Sequence, residues 1–256
     1  MKVTVLGSGT SSGVPMIGCS CKVCRSPNPK DNRLRSSIHI ETEAVSIVVD
    51  AGPDFRQQML RERIVRLDAI LLTHQHKDHT AGFDDIRAFN FFQRKPMDVY
   101  LTKEVEQAFV KEYHYVFDEK QYPGLPQMRL INFVNAPFKV SGLQVTPVQV
   151  YHYKLPVYGF RIGKFAYITD CNLIPEAEIS KLKDLDVLII NALRKESHIS
   201  HYTLDEALEV IKQLQPRQAY LTHISHQMGL HDEVNSSLPS GVALAHDGLQ
   251  VMIEGY

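Results

Sequence analysis

Six consecutive residues, His74-Gln75-His76-Lys77-Asp78-His79, carry three imidazoles and one carboxylate, and they follow closely on the apolar run Ala69-Ile70-Leu71-Leu72. Imidazole and carboxylate at this density suit a borderline divalent ion such as zinc. The apolar run reads as a buried strand, and the polar cluster as the loop leaving its C-terminal end. A solvated polar turn has no need of four potential ligands in six positions, so the stretch is read as a metal-binding loop.

Further donors punctuate strand ends in the same way. His152 follows Leu143 to Val150, Asp170 ends Tyr167-Ile168-Thr169, His223 ends Tyr220-Leu221-Thr222, and His201 stands just ahead of Thr203. A lone histidine is more often a satisfied structural residue than a ligand; the shared position after β-runs is what raises these. A single ion with an open position needs about three protein ligands. His74, His76, Asp78, His79, His152, Asp170 and His223 make seven, which fits two ions: His74, His76 and His152 on one, Asp78, His79 and His223 on the other, with Asp170 between. Water held by two such ions becomes a nucleophile at neutral pH, while the ions polarise the bond under attack. Asp50, at the end of the strand Val45 to Asp50, either orients a ligand histidine from behind or caps a helix around Asp54 to Arg63.

A second donor set precedes these. Cys19, Cys21 and Cys24 form C-x-C-x-x-C in a loop at 18–26, while Cys171 stands alone. Three thiols at this spacing reach one tetrahedral zinc that needs a fourth ligand from elsewhere; reduced, partly buried thiols are the alternative. A structural zinc contributes on the order of 10 kcal/mol of apparent binding free energy, enough to hold an otherwise loose loop. The preceding Gly7-Ser8-Gly9-Thr10-Ser11-Ser12-Gly13 is either a backbone cradle for an anion or a tight turn.

The elements that must position these residues alternate along the chain. Strands are expected at Lys2 to Leu6, Ser37 to Glu41, Val45 to Asp50, Ala69 to Leu72, Val99 to Leu101, Leu130 to Phe133, Leu143 to Val150, Tyr158 to Ile162, Phe165 to Thr169, Val187 to Ile190 and Gln218 to Leu221. Helices are expected at Asp54 to Arg63, Gly82 to Phe92, Lys103 to Tyr113, Pro175 to Leu182 and from the capping box at Thr203 to Leu214. Tyr113 to Gln127 reads as irregular surface. Val242 to Ala245 and Leu249 to Ile253 are read as joined by the turn His246-Asp247-Gly248. Strands and helices recurring in both halves predict two sheets covered by helices on both outer faces, in one domain spanning 1–256.

Composition is that of an ordinary soluble globular chain, with 44% apolar and 22% charged residues over 256 positions. A formal net charge of −1 argues against nucleic acid or an anionic membrane as partner. No apolar run approaches the ~20 residues of a membrane span, and the N-terminus reads as a strand rather than an export signal. Clustered thiols without such a signal place the chain in the cytoplasm.

Thr73-His74-Gln75-His76-Lys77-Asp78-His79, together with Asp50, His152, Asp170 and His223, resembles the full motif set of the metallo-β-lactamase superfamily. The resemblance implies a four-layer αββα sandwich, α/β in class, with a dinuclear site at one edge of the sheets, and it implies the ligand assignment already given. His79 after Asp78 resembles the glyoxalase and phosphodiesterase branches, and His76, where the diiron oxidoreductases carry glutamate, argues for hydrolysis. More narrowly, Gly13-Val14-Pro15, Gly18-Cys19-Ser20-Cys21-Lys22-Val23-Cys24, Leu143-Gln144-Val145-Thr146-Pro147, Leu221-Thr222-His223-Ile224-Ser225-His226-Gln227 and Leu238-Pro239-Ser240-Gly241 resemble the PhnP-like cyclic phosphodiesterases. That resemblance implies a structural zinc on Cys19, Cys21, Cys24 and His226, a general acid at His201, manganese or zinc as the two active-site ions, and a homodimer.

The function these readings imply is hydrolysis of a small cyclic phosphodiester, resembling 5-phosphoribosyl 1,2-cyclic phosphate, by a metal-activated hydroxide, with Asp78 and His201 as catalytic residues. Within Ser197-His198-Ile199-Ser200-His201, His198 is the competing proton donor. Rival readings are RNA 3′-end processing of the tRNase Z kind, thioester or lactone hydrolysis, and a non-catalytic PqqB-like carrier. No basic run or separate RNA-binding arm supports the first, and the complete set of seven ligands speaks against the last.

Overall fold

The computed structural model describes residues 1–118, 122 and 124–255. In chain order its strands are β1 (Lys2–Gly7), β2 (Ser37–Glu41), β3 (Ser46–Val49), β4 (Ala69–Leu71), β5 (Met97–Leu101), β6 (Met128–Asn132), β7 (Phe138–Val140), β8 (Leu143–His152), β9 (Leu155–Ile162), β10 (Phe165–Ile168), β11 (Val187–Asn191), β12 (Gln218–Thr222), β13 (Val242–Leu244) and β14 (Gln250–Met252). They form two seven-stranded sheets, ordered β14-β1-β2-β3-β4-β5-β6 and β13-β12-β11-β10-β9-β8-β7.

Side-chain alternation along each strand explains the layering. Ile47, Val49, Ala69, Leu71 and Ile189 point between the sheets, against Phe160, Phe165 and Tyr167. Their neighbours Val48, Ile70 and Leu72 point outward onto Phe55, Met59, Phe83 and Phe109. On the other sheet Leu188 and Ile190 face Ala207, Ile211 and Leu214 of the helix Leu204–Leu214. Strands buried on both faces must be apolar at every position, which is why the sequence shows runs rather than alternation. Each such Val, Ile or Leu contributes ~1.5–3 kcal/mol of burial.

The strands β3-β4-β5-β6 and β10-β11-β12-β13 are parallel within each sheet. Parallel neighbours need crossovers, and helices supply them. Lys103–Glu112 is opened by Thr102, whose hydroxyl accepts from Val105 N, and it buries Val105 and Phe109. Leu204–Leu214 begins with the expected capping box of Thr203 and Glu206.

Several boundaries differ from expectation. Gly82 to Phe92 is split into a 3₁₀ turn, Phe83–Ile86, and a helix, Arg87–Gln93. The segment read as irregular lies partly outside the described residues; its first part contains a helical turn, His114–Phe117. The short edge strand β7 had no expectation. The turn at His246-Asp247-Gly248 does not close a hairpin: β13 pairs with β12 in one sheet and β14 with β1 in the other. The reason is long-range. The Asp247 carboxylate accepts from Ser8 N and Oγ, from Leu34 N and from Arg61, and Gly248 N donates to Val5 O, so the chain is carried across the open edge of the sandwich.

Candidate active site

The C-terminal ends of the parallel strands in both sheets open at one edge, the position where α/β sheets present ligand sites. Asp50 follows β3, the histidine motif follows β4, Asp170 follows β10 and His223 follows β12, while His152 ends β8. Asp50, Asp170 and His223 adopt positive φ values of 65°, 51° and 57°. Non-glycine residues rarely sit there, and such strain concentrates at functional sites. Here it turns each side chain sharply off its strand and back over the sheet edge.

The motif itself changes conformation midway. His76 is extended, with φ −65° and ψ 151°, and Lys77–Thr80 forms one helical turn. In extended chain His74 and His76 project to the same side, whereas consecutive Asp78 and His79 diverge by about 100° on a helix. One short segment thereby serves two places.

His74 Nδ1–H donates to Thr73 Oγ1 at 2.9 Å, and Thr73 Oγ1 in turn donates to Asp50 Oδ2 at 2.8 Å. The other ring nitrogen, Nε2, faces His76 Nδ1 at 3.0 Å. The His152 ring lies 5.2 Å from that of His76 and 5.8 Å from that of His74 between centroids, and its Nδ1–H donates to Ser200 O at 2.9 Å.

Beside this group, His79 Nδ1–H donates to Asp50 Oδ2 at 2.7 Å, while His79 Nε2 stands 3.2 Å from Asp78 Oδ2 and 3.1 Å from Asp170 Oδ2. His223 Nδ1 is 3.2 Å from Asp170 Oδ2 and 3.2 Å from Ser36 Oγ. Ser36 Oγ also donates to Gly9 O. Among the described residues, donor atoms of Asp78, His79, Asp170 and His223 all lie within 4.8 Å of one another, and so do those of His152, Asp170 and His201. Asp170 belongs to both sets.

The donors fit metal ions. Ligands bonded to one ion at ~2.1 Å and separated by 90–109° are themselves about 3.0–3.4 Å apart, the spacing found around His79 and between His74 and His76. His79 Nε2 is buried and makes no hydrogen bond, a costly state for a polar atom that a cation would relieve; His201 Nδ1 is buried without a hydrogen bond as well. Charge is arranged to match. Burial opposes ionisation of Asp170, yet His223 and His79 overcome it and hold the carboxyl well below its usual range. Burial likewise opposes a charge on His79, but Asp170, Asp50 and Asp78 outweigh it and push the ring well above an ordinary histidine. Burial, and after it His79, hold His74 well below, so its Nε2 stays an unprotonated donor.

His201 is packed into this group: its ring lies 4.8 Å from His223, nearly parallel, and 4.5 Å from His152. Burial, then His223, lowers it to about 2. His198 stays half-buried, its Nδ1 3.3 Å from both Ser200 N and Ser200 Oγ, and its ring centroid lies 5.1 Å from that of His201.

The thiol loop forms a separate cluster. Sγ of Cys19 and Sγ of Cys21 each lie 3.4 Å from His226 Nδ1, and Cys24 completes a set within 4.8 Å. A tetrahedral zinc with ~2.3 Å sulfur and ~2.05 Å nitrogen bonds sets that edge at about 3.6 Å. The Cys24 amide and His226 draw the Cys21 thiol down to about 6, while burial pushes the Cys24 thiol up to about 11, so Cys21 is the thiol of this pair that reaches the metal-binding thiolate first.

The glycine loop proves to be a seam rather than an anion cradle. Its Ser8, Gly9, Thr10 and Gly13 amides donate to Asp247, Leu34, Ile224 and Thr10 respectively. A Cβ on Gly7 would stand 1.9 Å from Arg35 O, so glycine is required by close backbone approach. Asp50 caps no helix; its carboxylate is taken up by Thr73 and His79. Sequence reasoning missed Thr73, Ser36 and Ser200 as supports for ligand histidines, and only Thr73, adjacent to the motif, carried any local signal.

Comparison with known proteins follows this geometry. The beta-lactamase superfamily domain model matches residues 46–224. A crystal structure of a diphosphatase from the PhnP family superposes with a TM-score of 0.93 at 39% identity, covering 99% of this chain and 98% of that one. Zinc-bound PqqB from Methylobacterium extorquens superposes at 0.77 with 20% identity, over 99% and 100% of the two chains, a likeness of fold. An octanoyltransferase of Porphyromonas gingivalis is 41% identical over 257 residues, 99% of this chain but 52% of that protein. The chain spans about half the length of the first curated relatives it matches.

Proposed function

The chain belongs to the PhnP family of the β-lactamase superfamily, and from that premise we propose that it is a two-metal phosphodiesterase that opens a small cyclic phosphodiester. His74, His76 and His152 would hold one ion, Asp78, His79 and His223 the other, with Asp170 between. Two bound divalent ions, zinc or manganese, would supply an acidified water and stabilise negative charge developing on phosphorus. A third ion, zinc, would sit on Cys19, Cys21, Cys24 and His226.

The chain's own residues do the positioning. Asp50 orients His79 directly and His74 through Thr73, fixing each ring with its other nitrogen toward the site. Asp170, shared by two donor sets, would hold the two ions together. His201, stacked on His223, would hand a proton to the leaving oxygen. Its ring is neutral in the free site, and an arriving phosphate anion favours the charged form that such a donor requires.

The observation that carries this reading is the convergence of donors from four chain segments: Asp170 lies within 4.8 Å of the donors of Asp78, His79 and His223 and also of that of His152, and His74 Nε2 lies 3.0 Å from His76 Nδ1. The likeness to a diphosphatase favours a second reading, cleavage of a diphosphate linkage, which the same arrangement would serve. Metal analysis with turnover of cyclic nucleotides, cyclic phosphoribose, dinucleoside diphosphates and precursor tRNA by manganese-loaded protein tests both. Two bound active-site ions with cleavage of a cyclic diester support the first; cleavage confined to diphosphates supports the second. Turnover of precursor tRNA alone would overturn both.

A further inference from the structure

The turn joining β8 and β9 is not explained by metal binding. His152 pairs with Leu155, so Tyr153 and Lys154 are the two central residues of a tight hairpin. Tyr153 has φ +58°, at a turn position where glycine or asparagine is the ordinary choice. A bulky aromatic held in that conformation is a costly arrangement that packing alone does not reward, since 51% of the residue is exposed.

The turn is also strapped to the site. Tyr153 N–H donates to Asn172 Oδ1 at 2.7 Å, Asn172 N–H to Tyr151 O and Tyr151 N–H to Leu173 O. Asn172 is two residues beyond Asp170, so the Tyr153 backbone is tied between the segments that carry two of the proposed metal ligands, His152 and Asp170. Around it the rim is apolar and open: Leu173 is 53% exposed, and Ile199, next to the Ser200 carbonyl that holds His152, is 68% exposed. Lys154 Nζ lies over the Tyr153 ring at 5.3 Å from its centroid.

We infer that Tyr153 is a stacking platform for a flat heterocycle and that Lys154 meets the phosphate attached to it, so that the substrate is a phosphodiester carrying a nucleobase. Aromatic faces accept any base by stacking, a cation beside such a face suits an anionic neighbour, and the sugar of a nucleotide joins the two groups. The substrate class rests on the phosphodiesterase reading; the platform does not.

The test compares full-length metal-loaded protein with Tyr153→Phe and Tyr153→Gly, measuring calorimetric binding of AMP and of ribose 5-phosphate together with thermal melting. The native protein binds AMP more tightly by roughly tenfold, the scale of one base–aromatic stack. Tyr153→Phe keeps that preference. Tyr153→Gly loses it while melting no lower, because glycine accepts the positive φ without strain. Equal binding of the two ligands by the native protein, or equal weakening of both in Tyr153→Gly, would overturn the platform. AMP preference that depends on Tyr153, in a protein that cleaves no phosphodiester, would instead sink the phosphodiesterase reading and leave the platform standing.

Discussion

The Asp50 carboxylate and the His79 ring meet at 2.7 Å with both side chains wholly buried. Asp50 reaches His74 as well, through the Thr73 hydroxyl, so one carboxylate stands behind a histidine of each proposed ion. Its positive φ is what aims it there.

Asp50→Asn keeps the shape and tolerates that backbone, but removes the charge behind both rings. Affinity for the active-site ions is expected to fall roughly 10- to 100-fold, measured by competition against a chelator. Unchanged affinity would remove Asp50 from this role.

Cys21→Ala should cost one equivalent of zinc and lower the melting temperature. A loss of even ~3 kcal/mol moves the midpoint by roughly 6–12 °C in a chain of this size. Because His223 and His226 share one short segment, the second active-site ion should also weaken. Native zinc content and melting would show that the thiol cluster is not a structural metal site.

His201→Ala is expected to slow cleavage of diesters with alkoxide leaving groups by ~10²–10⁴, while p-nitrophenolate departure, which needs no proton, suffers far less. Equal slowing of both substrates would assign His201 a role in holding the site rather than in proton transfer.

Far from the site, on the outer face of its sheet, His39 Nε2–H donates at 2.8 Å to Ser46 Oγ, whose own proton goes to Arg66 O, and burial pushes the ring down to about 4. The unfolded chain takes up that proton near pH ~6.5. The neutral ring therefore contributes stability that is present above pH ~6.5 and lost as pH falls toward 4. Between pH 7 and 5 this amounts to about 2 kcal/mol. His39→Gln, which does not titrate, should flatten the native decline by that amount in urea unfolding at the two pH values. Taking the difference between the two proteins cancels acid effects on the metal ligands. Parallel declines would refute the assignment.

Much of the site was legible because its chemistry is local. His74 to His79 packs four donors into one turn of chain, Cys19 to Cys24 packs three, and no core position needs either set. The sandwich was legible for a similar reason: strands buried on both faces must be apolar throughout, and the resulting runs stand out. What the sequence alone left open were decisions made by contacts distant along the chain. Whether Asp50 caps a helix or backs a histidine depends on where the strand carrying His74 comes to lie. Whether His246-Asp247-Gly248 closes a hairpin depends on Ser8, Leu34 and Arg61. Whether the glycine loop cradles an anion or makes a tight turn depends on the partners of its amides, and those of Ser8, Gly9 and Thr10 are Asp247, Leu34 and Ile224. That the Tyr153 amide is tied to Asn172, two residues beyond Asp170, is likewise a contact between distant stretches of chain. Residue type and spacing determined which metals and which chemistry are possible; only the packing of two sheets face to face decided which side chains converge, because convergence is a property of long-range register that no local spacing encodes.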